Sequence, residues 1–244
     1  MNDSSRNREI IEDTGKNYNE IIFQEDFIPS NVYLYQISLR NQIIENLLCD
    51  QKFNFVLDLG CGTGFHLKTL SRHAENLIGA DMSFGALRKC KQNNSGEYVV
   101  CDINYLPFKP DTLDCIWIAG VLHHVPENLK VIISKNLSDV LKRGGFLIID
   151  EPNKLNPLNY LILMLSKADP TGNEKPLSLY HVKKILENSN MKIISSDTYE
   201  LFSPIGLVLK NTSIFRISED VDLLLQHSFF RSFLLRWTIF ARKE

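Results

Sequence analysis

Three glycines fall within five residues, Gly60-Cys61-Gly62-Thr63-Gly64, and an acid, Asp58, stands two positions before the first of them. Glycine tolerates positive φ and lets a ligand approach the backbone, and a helix N-terminus behind such a turn favours the negative end of whatever binds there. A second acid, Asp81, ends a later apolar run and is followed by Met82-Ser83. A carboxylate in that place can accept hydrogen bonds from both hydroxyls of a ribose. Its other use is to cap a helix starting at Phe84, for which Ser83 is a competitor. A third acid, Asp102, with Ile103 behind it, closes another apolar run just before Leu106-Pro107-Phe108. Two adjacent histidines, His123 and His124, follow Ala119-Gly120-Val121-Leu122. Imidazole titrates near neutrality, so either ring could take a proton from a hydroxyl or an amine, or serve instead as a hydrogen-bonding group beside a helix start. The set suits a nucleoside pocket with a candidate base at its edge.

Such residues need a scaffold that gathers strand ends. Apolar residues recur at helical spacing over 32–48, and the β-rich run FNFVLDL over 53–59 stops at the glycine cluster, with a helical pattern resuming at Phe65. Strands are expected at 77–81, 98–102, 113–118 and 145–150, with helices over 84–92 and 129–141 between them. Alternating strands and helices imply a mostly parallel sheet with helices on both faces, and LDCIWIA and FLIID read as strands buried on both sides. Lys142 and Arg143 followed by Gly144 and Gly145 read as the cationic last turn and glycine cap of the helix before the fifth strand. A proline-punctuated insertion at about 151–178 is a candidate substrate lid, followed by a helix at 179–188, a strand at 191–199, a helix near 221–230 and a last strand at 236–241. Residues 1–20 form a loosely ordered polar lead, and one domain is expected over 21–244.

Residues 56–64, VLDLGCGTG, together with the acid after the second strand, the Asp102-to-LPF spacing and the VLHHV stretch at 121–125, resemble the class I S-adenosylmethionine-dependent methyltransferases, specifically the small-molecule enzymes of that class. The resemblance covers about residues 50–150. It implies a Rossmann-like α/β fold with a seven-stranded, mostly parallel sheet and an antiparallel last strand. It implies S-adenosyl-L-methionine as cofactor, with Asp58, Gly60, Cys61, Gly62, Thr63 and Gly64 at its amino-acid part and Asp58 toward the methionyl ammonium. Asp81 and Met82 would meet the ribose, Asp102 and Ile103 the adenine, and Ala119 the methionyl part beside the histidines. It also implies transfer of a methyl group to a small-molecule, lipid or sugar acceptor by in-line displacement, which asks little of the protein beyond placement. Aromatic residues such as Tyr18, Tyr33, Tyr35 and Tyr160 are candidates to border the acceptor or the cation.

Composition narrows the partners. A net charge of -2 gives no overall basic field for a phosphate backbone, so nucleic acid is not expected as a partner and a small molecule is. Five cysteines without a CxxC pair cannot form a complete disulfide framework and do not suggest a zinc set, and no metal is expected; a reducing, cytoplasmic setting fits, as does the polar N-terminus. The longest apolar stretch, LNYLILML at 158–165, is far below the roughly 20 residues a membrane span requires. No Asp/Asn-Pro-Pro-aromatic tetrapeptide follows the fourth strand and no Pro-Cys pair is present, which argues against the usual nucleobase amine and pyrimidine-carbon chemistries. Two alternatives stay open. One is a cofactor-binding regulator without catalysis; the other is a nicotinamide-dependent dehydrogenase, which lacks here its third-glycine spacing. The C-terminal run of large apolar residues with Arg231, Arg236, Arg242 and Lys243 reads either as a helix and last strand closing the sheet or as a peripheral contact with a membrane or lipid-linked substrate.

Overall fold

Runs in which almost every residue is apolar can be satisfied only between two layers of helix, and that is where the middle of the sheet lies. The computed structural model describes residues 30–160, 175–200, 225 and 228–244. The expected N-terminal lead, residues 161–174 of the candidate lid, Tyr18 and most of the 221–230 helix lie outside those residues. Seven strands, β1 (Phe53–Leu59), β2 (Ala74–Asp81), β3 (Glu97–Val100), β4 (Leu113–Ala119), β5 (Leu141–Pro152), β6 (Met191–Tyr199) and β7 (Arg236–Lys243), form one sheet in the order β3-β2-β1-β4-β5-β7-β6. The first five are parallel; β7 runs antiparallel to both β5 and β6. This is the mixed, mostly parallel sheet that the sequence leads one to expect.

Helices cover both faces. On one face α1 (Ser30–Leu48), α2 (Leu67–Leu70) and α3 (Phe84–Asn93) place Ile44, Leu48, Leu67, Leu70, Leu87 and Cys90 against Val56, Cys115, Trp117 and Ile148. On the other, α4 (Lys130–Val140) and α5 (Leu179–Glu187) place Ile133, Leu137, Val182 and Leu186 against Leu57, Ile116, Ile118 and Ile149. Each fully buried Leu or Ile is worth about 2 kcal/mol in area removed from water. Ser83 caps α3 by accepting from the Ala86 amide, and Ser178 caps α5 by accepting from the His181 amide. No helix of the described residues is long and apolar enough to cross a membrane.

Three local expectations need correction. The helix after the glycine cluster is a single turn, Leu67–Leu70, running into a 3-10 turn at Ser71–His73, because the chain must already be back at Ala74 to pair with Phe53. The helix before β5 ends at Val140, and Lys142, Arg143 and the two glycines lie inside β5 rather than capping that helix. There Leu113 pairs with Leu141 but Cys115 with Phe146, so residues 142–145 bulge opposite Asp114, and the Lys142 ammonium bonds the Asp114 carboxylate at 2.7 Å. β3 stops at Val100, which leaves Asp102 in the loop beyond it. At the other end of the chain, residues 236–243 form the buried strand β7, the sheet-closing arrangement.

Candidate functional site

The sheet order reverses between β1 and β4, and in open sheets of this kind ligands bind at the C-terminal ends of the strands beside that reversal. The glycine cluster leaves β1 at this point. Gly60 and Gly62 adopt φ of +78° and +53°, conformations that side-chain-bearing residues rarely take. The Gly60 and Cys61 amides both donate to the Ala80 carbonyl, and the Gly62 amide donates to Asp81 Oδ2 at 2.8 Å. Asp81 Oδ1 accepts from the Ser83 amide at 2.8 Å. Asp81 thus ties the loop to the end of β2, while Ser83 takes over the helix cap that was Asp81's alternative use.

Among the described residues, a side chain at Gly62 would meet nothing within 4 Å. Below it Asp58 is buried, and its Oδ2 has no hydrogen-bond partner among the described residues. Burial, reinforced by Cys90 and Asp81, raises the Asp58 carboxyl well above its ordinary range. Asp58 and Trp117 are register partners on β1 and β4, and the Trp117 Nε1, fully buried, has no partner among the described residues either. Thr63 and Cys61 are buried in the loop, with Cys61 set in the core of the α1 face. The single turn of α2 behind the loop offers little macrodipole, so the ligand's environment comes from amides and carboxylates.

Asp102 folds its carboxylate back on its own chain, Oδ1 accepting from the Asn104 backbone amide at 2.9 Å and side-chain amide at 2.7 Å. Ile103 is 8% exposed and packs with Leu57 and Leu59 in the core. Met82 and Ala119 are half-buried at the ends of β2 and β4. The histidines stand on a 3-10 turn, Leu122–His124, beyond β4, their ring centroids 4.1 Å apart. Tyr33 on α1 meets Phe65 edge-on at 5.5 Å, next to the glycine loop, whereas Tyr160 lies partly exposed on the segment after β5.

Sequence reasoning missed the acids behind this surface. Glu151 near the end of β5 is wholly buried; its Oε1 accepts from the Val121 and Leu122 amides at 2.8 and 2.6 Å, and its Oε2 lies 2.7 Å from His123 Nδ1. Asp150 beside it, on the opposite face, is met by Arg40 of α1, Arg236 and Thr238 of β7 and the Tyr199 hydroxyl of β6. Burial alone would raise the Asp150 carboxyl, but the two guanidinium groups and the tyrosine hold it down at about 2. His66, after the glycine cluster, is also buried; burial first, then Arg40, lowers its imidazole to about 3, and its Nδ1 meets Asn41 Oδ1 at 2.9 Å. Two successive acids at a strand end were the available signal for Asp150 and Glu151. Their partners are remote in sequence, so the pairings were not readable.

The flanks of the candidate lid are fixed. The Leu177 amide donates to the Pro152 carbonyl, Trp237 Nε1 donates to the Leu177 carbonyl, and Asn153, Asn156 and Asn159 donate side-chain amides to carbonyls of 232–235. The Lys175 amide reaches the His123 carbonyl at 3.5 Å.

Residues 57–149 match the family model described as a methyltransferase domain. An uncharacterized protein of Methanocaldococcus jannaschii is 32% identical over 179 residues, 72% of this chain and 66% of its own length. A protein named Probable tRNA methyltransferase 9B, from Mus musculus, is 36% identical over 108 residues, 43% of this chain and 24% of its own length. The chain therefore spans from about a quarter to about two thirds of these curated relatives. Among solved structures, an S-adenosylmethionine-dependent methyltransferase of Thermotoga maritima described as a possible histamine N-methyltransferase superposes with a TM-score of 0.68 over 97% of this chain and 99% of its own, at 14% identity. Residues 57–149 thus carry a methyltransferase domain, and the fold is that of the class I S-adenosylmethionine-dependent methyltransferases. S-adenosylmethionine is the cofactor of that class, and the residues present fit it: among the described residues Gly62 has no neighbour in the side-chain direction and the buried Asp58 Oδ2 has no hydrogen-bond partner, which suits a ligand carrying an ammonium group.

Proposed function

We propose that this protein transfers a methyl group from S-adenosylmethionine to a small-molecule acceptor, lipid- and sugar-linked ones included. The observation that carries the reading is the buried Asp58 Oδ2, without a hydrogen-bond partner among the described residues, beneath the glycine loop. A carboxylate there repels the pyrophosphate of a dinucleotide and draws in the ammonium of an amino acid, which separates this reading from that of a dehydrogenase. Asp58 and the loop Gly60–Gly64 hold the amino-acid part; Asp81 and Met82 hold the ribose; Asp102 receives the adenine amino group, with Ile103 closing the floor; Ala119 borders the methionyl part. The bound sulfonium supplies an electrophilic methyl carbon and an excellent leaving group, so alignment of the acceptor provides much of the acceleration. His123 takes the proton of a hydroxyl or amine acceptor, with His124 packed against it. The small-molecule class is supported by the net charge of -2 and by likeness to the Thermotoga fold.

An RNA acceptor is the second reading, favoured by the similarity to the mouse protein named for tRNA. Calorimetric titration with S-adenosylmethionine, S-adenosylhomocysteine and NADH, repeated with Asp81→Ala and Gly62→Val, tests the cofactor. Adenosyl binding lost in both variants is expected; binding of NADH alone overturns the reading, and binding of none leaves a non-catalytic relative. Transfer of radiolabelled methyl to pooled amines, phenols and quinones, against total tRNA, then separates the acceptors: label entering only tRNA overturns the small-molecule assignment.

A further inference from the structure

Two unfavourable features meet in Glu200, the residue after β6. It is 1% exposed, and its backbone sits in the left-handed region at φ +68°, with the Leu235 amide donating to its carbonyl at 2.7 Å. Its Oε1 accepts from Gln36 Nε2 at 2.9 Å, while its Oε2 has no hydrogen-bond partner among the described residues. A buried carboxylate oxygen without a donor and a glutamate at positive φ both cost stability, and such costs collect where a ligand is held.

The position of Glu200 fits a ligand site. Strands β5 and β6 both run antiparallel to β7, so β6 ends at the same edge of the sheet as β4 and β5, where the histidine loop stands. Helix α1 crosses that edge. Its residues Tyr33, Gln36 and Arg40 fall at helical spacing: Tyr33 meets Phe65 next to the glycine loop, Gln36 holds Glu200, and Arg40 bonds Asp150 at 2.9 Å. Tyr33 and Gln36 are separated by about 4.5 Å along the helix axis, so Glu200 lies close to the ring that borders the cofactor loop.

Charge decides what Oε2 can receive. The guanidinium groups of Arg40 and Arg236 both bond Asp150. Burial would lower the Arg236 guanidinium, yet Asp150, Tyr199 and Glu200 raise it, so Glu200 acts on the same group. His66, lowered to about 3 by burial and Arg40, adds no charge at neutral pH. Two guanidinium groups thus stand against two carboxylates. In that balance the remaining oxygen suits an uncharged donor better than an ammonium, and a phosphate brought to it would be repelled.

We propose that Glu200 selects the methyl acceptor: its Oε2 accepts a hydrogen bond from a hydroxyl or amide N–H of an uncharged small molecule held between α1 and the end of β6. The inference rests on the function proposed above and narrows its acceptor class.

The test uses the whole chain loaded with S-adenosylhomocysteine and ligand-observed NMR titration. The probes are phenol, catechol, benzamide and myo-inositol, each beside its fully methylated counterpart, which accepts hydrogen bonds but no longer donates them, and myo-inositol phosphate. At least one donor-bearing probe is expected to bind roughly tenfold or more tightly than its methylated counterpart. In Glu200→Gln the side-chain oxygen can keep the Gln36 bond while the amide nitrogen takes the place of Oε2, so the site offers a donor instead. The preference should then vanish or reverse, with the affinity for S-adenosylhomocysteine nearly unchanged. If Glu200→Gln fails to fold, Glu200→Asp serves, since it keeps the charge, withdraws it by one methylene and should likewise erase the preference. The absence of any donor preference, a preference unmoved by the variant, or tighter binding of myo-inositol phosphate than of myo-inositol overturns the proposal. Failure of the unmodified protein to bind S-adenosylhomocysteine would overturn the function reading instead, and the same probes titrated against the unloaded chain would still decide the role of Glu200.

Discussion

A side chain at Gly60 would collide with the Cγ2 of Val121, so the glycine loop and the histidine loop are in contact through the hydrogen of a single glycine. That contact sets the separation between the cofactor cradle and the candidate base. Gly62, two residues on, has no neighbour within 4 Å in the corresponding direction among the described residues. The two glycines therefore differ in their surroundings, and on the proposed function Gly60 would be required by the protein and Gly62 by its ligand.

Gly60→Ala and Gly62→Ala should separate accordingly. Both place alanine in a left-handed conformation, at roughly 1–2 kcal/mol. Gly60→Ala adds a clash with Val121 and should lower the melting temperature by more than about 6 °C, against roughly 2–4 °C for each kcal/mol in a chain of this size. Gly62→Ala should stay near the lower figure yet lose at least tenfold in S-adenosylmethionine affinity. Thermal unfolding and calorimetry on both variants check this; equal unfolding shifts would contradict it.

Asp81 and Ser83 form a second separable pair. Ser83→Ala removes only the α3 cap and should cost about 1 kcal/mol of stability with the cofactor affinity nearly intact. Asp81→Ala releases the Gly62 amide and removes the ribose acceptor, and should weaken binding roughly a hundredfold, about 3 kcal/mol for two charge-assisted bonds. Comparable loss of affinity in the two variants would argue that Asp81 only shapes the turn.

Asp58 carries a stability cost in the ligand-free protein. Its carboxyl is raised on folding, so ionisation opposes the folded state, and stability should fall as pH climbs from the unfolded value near 4 toward the higher folded one. Asp58→Asn should remove that dependence and leave the free protein as stable or more so at neutral pH, while reducing S-adenosylmethionine affinity at least tenfold. A destabilised Asp58→Asn with unchanged affinity would mean that the acid serves the fold.

Asp150 has the opposite sign. Its folded value, about 2, lies below the unfolded one near 4, so its contribution is fully present above pH 4 and is lost as pH falls from about 4 through about 2. The contribution is on the order of 2 kcal/mol. Urea unfolding across that window should show a steeper acid loss in the unmodified protein than in Asp150→Asn. At neutral pH the variant, leaving Arg40 and Arg236 buried against a neutral amide, should be about 3–5 kcal/mol less stable. Parallel pH curves for the two proteins would remove Asp150 from this role.

How far the sequence went depended on whether a signal was local. β1 and β6 are found at the residues their composition marks, because β-rich runs end at glycine or at helix caps that are visible in line. The helices around the glycine loop and before β5 were misjudged, since Ala74 and Leu141 are claimed by pairing with Phe53 and Leu113, partners that no window contains. The same holds at the site. Asp58, Asp81 and the glycines announce themselves by spacing, whereas Glu151 acquires its meaning only when β5 is laid beside β4 and brings it under His123. His66 looks like any polar residue after a turn until Asn41, from a different helix, meets it.

β7 follows β6 in the chain but lies between β5 and β6 in space. On a ribosome that delivers the chain from its N-terminus, β6 emerges with its place beside the sheet still empty, and Asp150 is already made while Arg236 is not. The first five strands and the cofactor loop can assemble in register early, yet the edge remains open, with Asp150 lacking its Arg236 and Thr238 partners, until the last strand inserts. A premature stop ahead of Arg236 would thus cost two strands rather than one, and would leave a half-built sheet of the kind that quality-control machinery is equipped to find.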